Sequence, residues 1–262
     1  MQVSSQGRPL PGILVGHHEP IFDALPGNVL DNLRRSNSEN ALVWNKLYPA
    51  FRQGGRLQPL LALAPLWGTP ALTLPDDQLQ AYYWGFRADG TYLAGLEETL
   101  MAVDGPGPST EVDCFLLGEE NIILIEAKRG SGFGRCSRYN NHSCPAVHLE
   151  EPDLSLCRYW TEPAAAFHTE FAFAEPEVDF RPACDRHYQL ARTLMVGRQL
   201  AELLKKDLHF WVLVPRRNWP RIERTWLDFT RAIKDSETWR RLRVLSWESL
   251  EELAVESNLN EH

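Results

Sequence analysis

Residues 110–128, TEVDCFLLGEENIILIEAK, contain two apolar runs separated by GEEN, with the charged side chains Asp113, Glu126 and Lys128 set inside them. Burying unpaired charge is costly, so these side chains must reach water or hold something. The runs are bounded by turn residues and read as two strands, 111–117 and 122–128, forming a hairpin. If GEEN makes a turn of even length, residues whose numbers share one sum face each other. Leu117 then faces Ile122, and Asp113 faces Glu126 at about 5 Å between Cβ atoms. Lys128, two residues past Glu126, projects from the same face. An odd turn would break this arrangement, and a slip of one residue would send the groups to opposite faces.

Two carboxylates held this close repel unless a proton or a cation lies between them. A hard divalent cation, Mg²⁺ or Mn²⁺, would be bound by Asp113, Glu126, a backbone carbonyl and several waters. Lys128 would orient or help deprotonate a bound water and stabilise a developing phosphorane oxyanion. These parts suffice for hydrolysis of a phosphodiester. The structural alternative is a cross-strand salt bridge in which Lys128 neutralises one acid.

Asp113 followed across a hairpin by Glu126-Ala127-Lys128 resembles the motif of the PD-(D/E)XK nuclease superfamily, with Val112 standing where that motif usually has Pro. The resemblance implies a restriction-endonuclease-like fold. It implies a metal-dependent nuclease that cleaves DNA with a metal-activated water, Asp113, Glu126 and the Ala127 carbonyl ligating Mg²⁺ or Mn²⁺ and Lys128 serving as the catalytic lysine. Many members add a Glu on the helix before the sheet, where Glu39 stands; a capping-box role is its alternative. Members also carry a Gln or Tyr on the helix after the motif, which Tyr188 and Gln189 would supply, with Arg192 as a phosphate contact. Ordinary helix surface, with Tyr188 in the core, is the alternative there. The competing functional reading is a catalytically silent module of the same fold that binds nucleic acid or a protein partner.

A net charge of -8 means that any phosphate-binding surface must be local. From Ala127 to Leu149 there is no Asp or Glu, while Lys128, Arg129, Arg135 and Arg138 fall there. Arg129, Arg135 and Arg138 are therefore candidate nucleic-acid contacts, with a solvated loop as the alternative, beside Arg192, which the resemblance implies. A second basic cluster is Arg216, Arg217 and Arg221, close to Trp219, a candidate for stacking on a base.

Five cysteines without a secretory signal argue against a disulfide framework. Cys136, Cys144, Cys157 and Cys184 all fall between the motif and the next long helix, while Cys114 alternates to the other sheet face. Four thiols could bind Zn²⁺ or an iron–sulfur cluster. No C-x2-C pair is present, and His142, His148 and His168 leave the ligand choice open, as does the option of buried or free thiols. Some four-cysteine relatives within the superfamily carry such a cluster.

The remaining chain supplies the frame. An apolar content of 44% over 262 residues suits one core, expected as a single domain over 36–262 with a Cys-rich insertion at about 129–184. Residues 1–35 are rich in Pro and Gly and read as an N-terminal arm or irregular cap. No run approaches the roughly eighteen apolar residues of a membrane helix, and the start MQVSSQGRPLPG lacks a signal-peptide core, so a soluble, cytoplasmic protein without a membrane partner is expected.

Trp44, Leu47, Tyr48 and Phe51 mark an amphipathic helix, with Ser36 and Glu39 as its capping box and Gly54-Gly55 as its stop. QAYYWGF and YLAGLEETLMAV read as strands. DRHYQLARTLMVGRQLAELLKK reads as a long helix capped by Asp185, HFWVLVP as a buried strand, RIERTWLDFTRAIK as a helix, RVLSW as a strand and ESLEELAVES as a last helix. This order predicts an α/β fold of three layers, a central mixed sheet flanked by helices.

Overall fold

A computed structural model describes residues 10–69, 74–177 and 180–252. Seven strands form one mixed sheet: β1 (Gly55–Arg56), β2 (Trp67–Gly68), β3 (Gln78–Tyr83), β4 (Cys114–Leu117), β5 (Asn121–Ala127), β6 (Asp207–Val214) and β7 (Leu242–Ser246), in the spatial order β1-β3-β4-β5-β6-β7-β2. β1, β3, β4 and β5 run antiparallel in sequence along the sheet, whereas β5, β6 and β7 are parallel. The central strands are buried on both faces, as their near-continuous Val, Ile and Leu content requires.

Helices cover both faces. On one side lie α1 (Ile21–Ala24), α2 (Gly27–Leu33), α3 (Glu39–Phe51) and α4 (Leu57–Ala62), packed through Trp44, Leu47 and Leu57 onto Ile123, Ile125 and Trp211. On the other lie α5 (Leu96–Asp104), α10 (Tyr188–Leu204) and α11 (Trp219–Arg231), packed through Leu194 and Trp226 onto Leu124 and Phe210. Short helices α6 (Ser137–Asn140), α7 (Arg158–Thr161), α8 (Phe167–Glu170) and α9 (Ala183–Arg186) punctuate the Cys-rich insertion, and α12 (Ser236–Arg240) precedes β7. The architecture is the restriction-endonuclease-like α/β arrangement expected from the strand and helix order. Among the described residues no helix is long and apolar enough to cross a membrane.

The hairpin register decides the geometry of everything at this end of the sheet. Cys114 pairs with Ile125 and Leu117 with Ile122, so the turn is even, and Asp113, just before β4, reaches the end of β5 through its side chain, which accepts from Ala127 N–H. Gly118 N–H donates to Asn121 O at 2.9 Å, leaving Glu119 and Glu120 as a two-residue turn. The turn is held from outside by Asp77, whose carboxylate accepts the amides of Glu119, Glu120 and Asn121 at 2.8, 2.9 and 3.0 Å and the Asn121 side chain at 3.1 Å.

Several expectations are corrected. The described part of the N-terminal segment is no arm: Leu10, Ile13, Ile21, Phe22, Val29 and Leu33 are buried in the core beside α3. YLAGLEETLMAV holds α5 rather than a strand, because Leu96, Thr99 and Val103 are buried at helical spacing and Glu97 and Glu98 sit in the first turn, where the helix dipole favours acids. The cap of α3 is Ser38, whose Oγ accepts from Ala41 N–H at 3.0 Å, not Ser36. Asp185 does not cap α10; it pairs with Arg181 at 2.6 Å and accepts from Cys136 N–H at 3.1 Å. Trp219 is buried in the core of α11, which removes it as a stacking platform. The end of the last expected helix lies outside the described residues; 247–252 are helical.

Helix α10 approaches the sheet closely because residue 197 is Gly: a Cβ there would stand 2.8 Å from Leu124 and 2.9 Å from Leu208. This close contact carries the start of α10 over β5.

Asp77→Ala should unpair the turn amides at a cost of about 1–3 kcal/mol, read as a lower midpoint in urea with an unchanged slope. In the wild type the Asp77 carboxyl lies below its ordinary value. Burial opposes this, but the Asn121 side chain and the three amides outweigh it. The contribution is therefore present above the ordinary carboxylate range and is lost as pH falls through the depressed value, a loss the Ala variant should not show.

Candidate active site

Past the carboxyl end of β5 the chain brings together Asp113, Glu126, Lys128, Glu39 and Gln189. Lys128 Nζ stands 2.8 Å from Glu126 Oε1 and 3.6 Å from Glu39 Oε2. Asp113 Oδ2 accepts from Ala127 N–H at 2.7 Å, across the hairpin. Within a strand residue the N–H and C=O point to one side, so the Ala127 carbonyl opens toward Asp113. Gln189 Nε2 donates to Glu126 Oε1 at 2.5 Å, from the opposite layer.

Glu39 occupies its place because Ser38 takes the cap and leaves the Glu39 side chain free to turn toward the sheet. Its Oε1 accepts Arg129 N–H at 2.9 Å and Ser131 Oγ–H at 2.6 Å. The strand end is pinned as well: Trp247 Nε1 donates to Lys128 O at 3.1 Å, and Asn218 Nδ2 to Arg129 O at 2.5 Å. Gln189 is fixed at its other end by Gly134 N–H, which donates to its Oε1 at 2.6 Å.

Glu111 is a member that the sequence reading missed. It lies two residues before Asp113 and its carboxylate accepts from Asn28 at 3.0 Å and Asn40 at 3.4 Å. It also lines an open cleft of about 810 Å³ together with Val112, Trp84 and Asn28. Its position at i−2 from Asp113 was the available signal.

Charge is unbalanced here. Asp113, Glu126 and Lys128 are 8%, 1% and 4% exposed, Glu39 adds a further carboxylate beside the single ammonium, and Glu111 adds one that acts on Asp113 and Glu126. Burial first, then the neighbouring Glu126, raises the Asp113 carboxyl well above its ordinary value against the pull of Lys128. Burial likewise raises Glu126, with Lys128 opposing and Glu39 and Glu111 adding. Burial alone would depress Lys128, but Glu126, Glu39 and Asp113 outweigh it and hold the ammonium above its ordinary value.

Glu126 Oε2 is buried with no hydrogen-bond donor among the described residues. A buried acceptor without a donor, beside a second carboxylate and a carbonyl, fits a hard cation. Among the described residues no three His, Cys, Asp or Glu side chains converge on one ion. Two carboxylates plus a carbonyl, with water completing the shell, is nevertheless the manner in which Mg²⁺ is commonly held.

The basic candidates divide. Arg129 and Arg135 are exposed, and no ion pair or side-chain hydrogen bond engages either guanidinium among the described residues. Arg138 is exposed and donates to Leu156 O at 3.3 Å. Arg192 is engaged elsewhere: it pairs with Asp104 at 2.8 Å and stacks over Tyr188 and Tyr159. Tyr188 is partly buried and packs against the core.

The family described as Restriction Endonuclease associating with ARP matches residues 73–262. The chain belongs to this restriction-endonuclease family. The matched span of the family contains Asp113, Glu126, Lys128 and Gln189 and all five cysteines, whereas Glu39 and Asn40 precede it. No curated protein and no solved structure shows significant similarity to the chain.

The raised carboxyls make a pH prediction for metal-free protein. The folded state binds more protons at Asp113 and Glu126 than the unfolded chain does. The associated stability is complete below the ordinary carboxyl range, near pH 4, and is lost as pH rises through the raised values. Thermal melts in chelator at pH 5 and pH 8 should show a smaller decline for Asp113→Asn than for the wild type; parallel declines would contradict the assignment.

Proposed function

We propose that this chain is a divalent-metal-dependent nuclease that hydrolyses phosphodiester bonds in DNA. The observation that carries the reading is the excess of buried negative charge around Lys128, with Glu126 Oε2 left without a donor. Asp113, Glu126 and the Ala127 carbonyl would hold Mg²⁺ or Mn²⁺, which supplies a water of lowered pKa and neutralises phosphoryl charge when bound. Gln189 and the Ala127 amide each tie one oxygen of Glu126 and Asp113 and leave the other oxygen for the cation.

Lys128 presents a fixed positive charge where charge develops on the phosphoryl oxygens. Glu39 fixes that ammonium from the opposite side and anchors the Arg129–Ser131 backbone. Arg129 and Arg135, exposed and without an ion-pair partner among the described residues, supply phosphate contacts that position the strand without reading its sequence. The family description names an association with ARP, and we extend to this chain the proposal of a protein partner beside the nucleic acid.

One observation favours the competing reading, a catalytically silent module: the three motif side chains are almost closed to solvent and already form an ion pair. The two readings separate in one set of measurements. A nuclease should cleave DNA only with Mg²⁺ or Mn²⁺, and Asp113→Ala and Lys128→Ala should each lower the rate about 10²–10³-fold. Mg²⁺ at 100 times its Kd should also stabilise the wild type by about 2.7 kcal/mol and the Asp113→Ala protein much less. Undiminished cleavage in the variants would sink the site, and absence of both cleavage and metal stabilisation would establish the silent module.

A further inference from the structure

Four cysteines from separate parts of the insertion face one space. Cys136 precedes α6, Cys144 follows it, Cys157 precedes α7 and Cys184 lies in α9, and all four line a cavity of about 260 Å³. None is in a disulfide; Cys144 is buried and the other three are partly buried. Burial is the main force raising the thiols of Cys136, Cys157 and Cys184, pushing Cys157 up to about 11 and Cys184 up to about 12, and neighbouring thiols add to it. For Cys184 those neighbours are Cys157, Cys136 and Cys144, so the four groups lie within electrostatic reach of one another.

Small apolar cysteines in an ordinary core pack tightly and leave no void. Here they converge on a cavity instead. A single zinc ion would draw its sulfurs to roughly 2.3 Å from one point. Among the described residues no three His, Cys, Asp or Glu side chains are placed to hold a metal ion. A polynuclear centre with all-cysteine ligation holds its thiolates further apart, around a body that fills the space.

The charges around the cavity suit an anionic centre. Asp104 and Asp185 line it, but each is paired with an arginine, Arg192 and Arg181. Arg138 and Arg158 line it too and donate only to backbone carbonyls, Arg138 to Leu156 and Arg158 to Met101, Ala102 and Val103. Among the described residues no carboxylate forms an ion pair with either guanidinium.

We propose that Cys136, Cys144, Cys157 and Cys184 ligate a [4Fe–4S] cluster that fastens the insertion to the start of α10 and so sets the position of Gln189. On binding, the four thiols release their protons and their sulfurs bond to iron, with two ferric ions, two ferrous ions and four sulfides supplied from solution, so that no further oxidant is needed. Two short chain segments transmit the effect. Cys136 lies two residues beyond Gly134, whose amide holds Gln189, and Cys184 lies in the helical turn that leads into α10. Gln189 in turn holds Glu126. The proposal does not depend on nuclease activity.

The test is the composition and spectrum of the full-length protein purified without oxygen. Iron and acid-labile sulfide should be present in equal amounts, about four of each per chain, with a broad visible absorption that bleaches on dithionite. Cys136→Ser and Cys184→Ser should lose this signal, while Cys114→Ala, altered in the opposite face of the sheet, should keep it. Zinc without sulfide, a disulfide between two of the four, or no uptake on anaerobic reconstitution with equal ferrous and ferric iron and sulfide would each overturn the cluster. Hydrogen exchange tests the positioning role: loss of the cluster should speed exchange at Gly134 about tenfold and leave β4–β5 unchanged. Unchanged exchange at Gly134 would overturn that role.

Discussion

One buried ammonium sets the terms for the carboxyl end of this sheet. Lys128, with its side chain 5% exposed, bridges Glu126 on its own strand and Glu39 on the helix of the neighbouring layer. Taking these charges out of water is expensive, and a well-packed apolar substitute is often as stable or more so. The arrangement is therefore weak evidence of a structural purpose. It is weaker still because the signs do not balance: one cation faces Glu39, Asp113 and Glu126, and Glu111 adds its charge beside the two buried acids. Proton uptake by the acids can relieve the excess, the direction in which burial already pushes the Asp113 and Glu126 carboxyls. A bound divalent cation relieves it without giving up the carboxylates as ligands.

The fold delivers this cluster through a change in strand direction. β5 pairs antiparallel with β4 on one edge and parallel with β6 on the other. Crevices beyond the carboxyl ends of parallel strands are where α/β sheets place their ligands. Here the crevice is furnished from three sides: the hairpin brings Asp113 to Glu126, α3 brings Glu39, and α10 brings Gln189. The contact at Gly197 allows the third of these, since a larger residue would push α10 away from Leu124. Asp77 protects the first, because its grip on the Glu119–Glu120 turn resists the one-residue slip that would separate the two acids.

How much of this could be read from the sequence follows the range of each interaction. The hairpin register was legible because it needs only counting across GEEN, and the pairing of Leu117 with Ile122 agrees with that count. The layer order was legible from strand and helix periods. α5 was not, since Glu97 and Glu98 interrupt the apolar pattern and suggest a weak strand until the burial of Leu96, Thr99 and Val103 is seen. Ser36 and Ser38 both precede α3, and choosing Ser36 as cap assigned Glu39 to the helix terminus; the use of Ser38 releases it to Lys128. Asp77, Asn28 and Asn40 carry no local signature, because their partners lie far along the chain. The four cysteines lack a recognisable spacing for the same reason: only the folded insertion brings them to one cavity.

Gln189 shows why the insertion and the carboxylates belong to one mechanical unit. Freezing a glutamine side chain costs up to about 2 kcal/mol of rotamer entropy. Against this stand a hydrogen bond from the Gly134 amide, contributing about 1 kcal/mol, and one to the Glu126 carboxylate, contributing about 1.5–3 kcal/mol. With both bonds the ordered rotamer wins by a small margin. Without the Gly134 bond the balance approaches zero, and Glu126 Oε1 is left to Lys128 alone. The orientation of Glu126 thus depends on where the loop from Arg129 to Cys136 lies, and that loop is held by Glu39 at one end and by the Asp185 carboxylate at the other. Asp185 sits beside Cys184, so whatever fixes the cysteine cavity also fixes the carboxylate that faces the cation site.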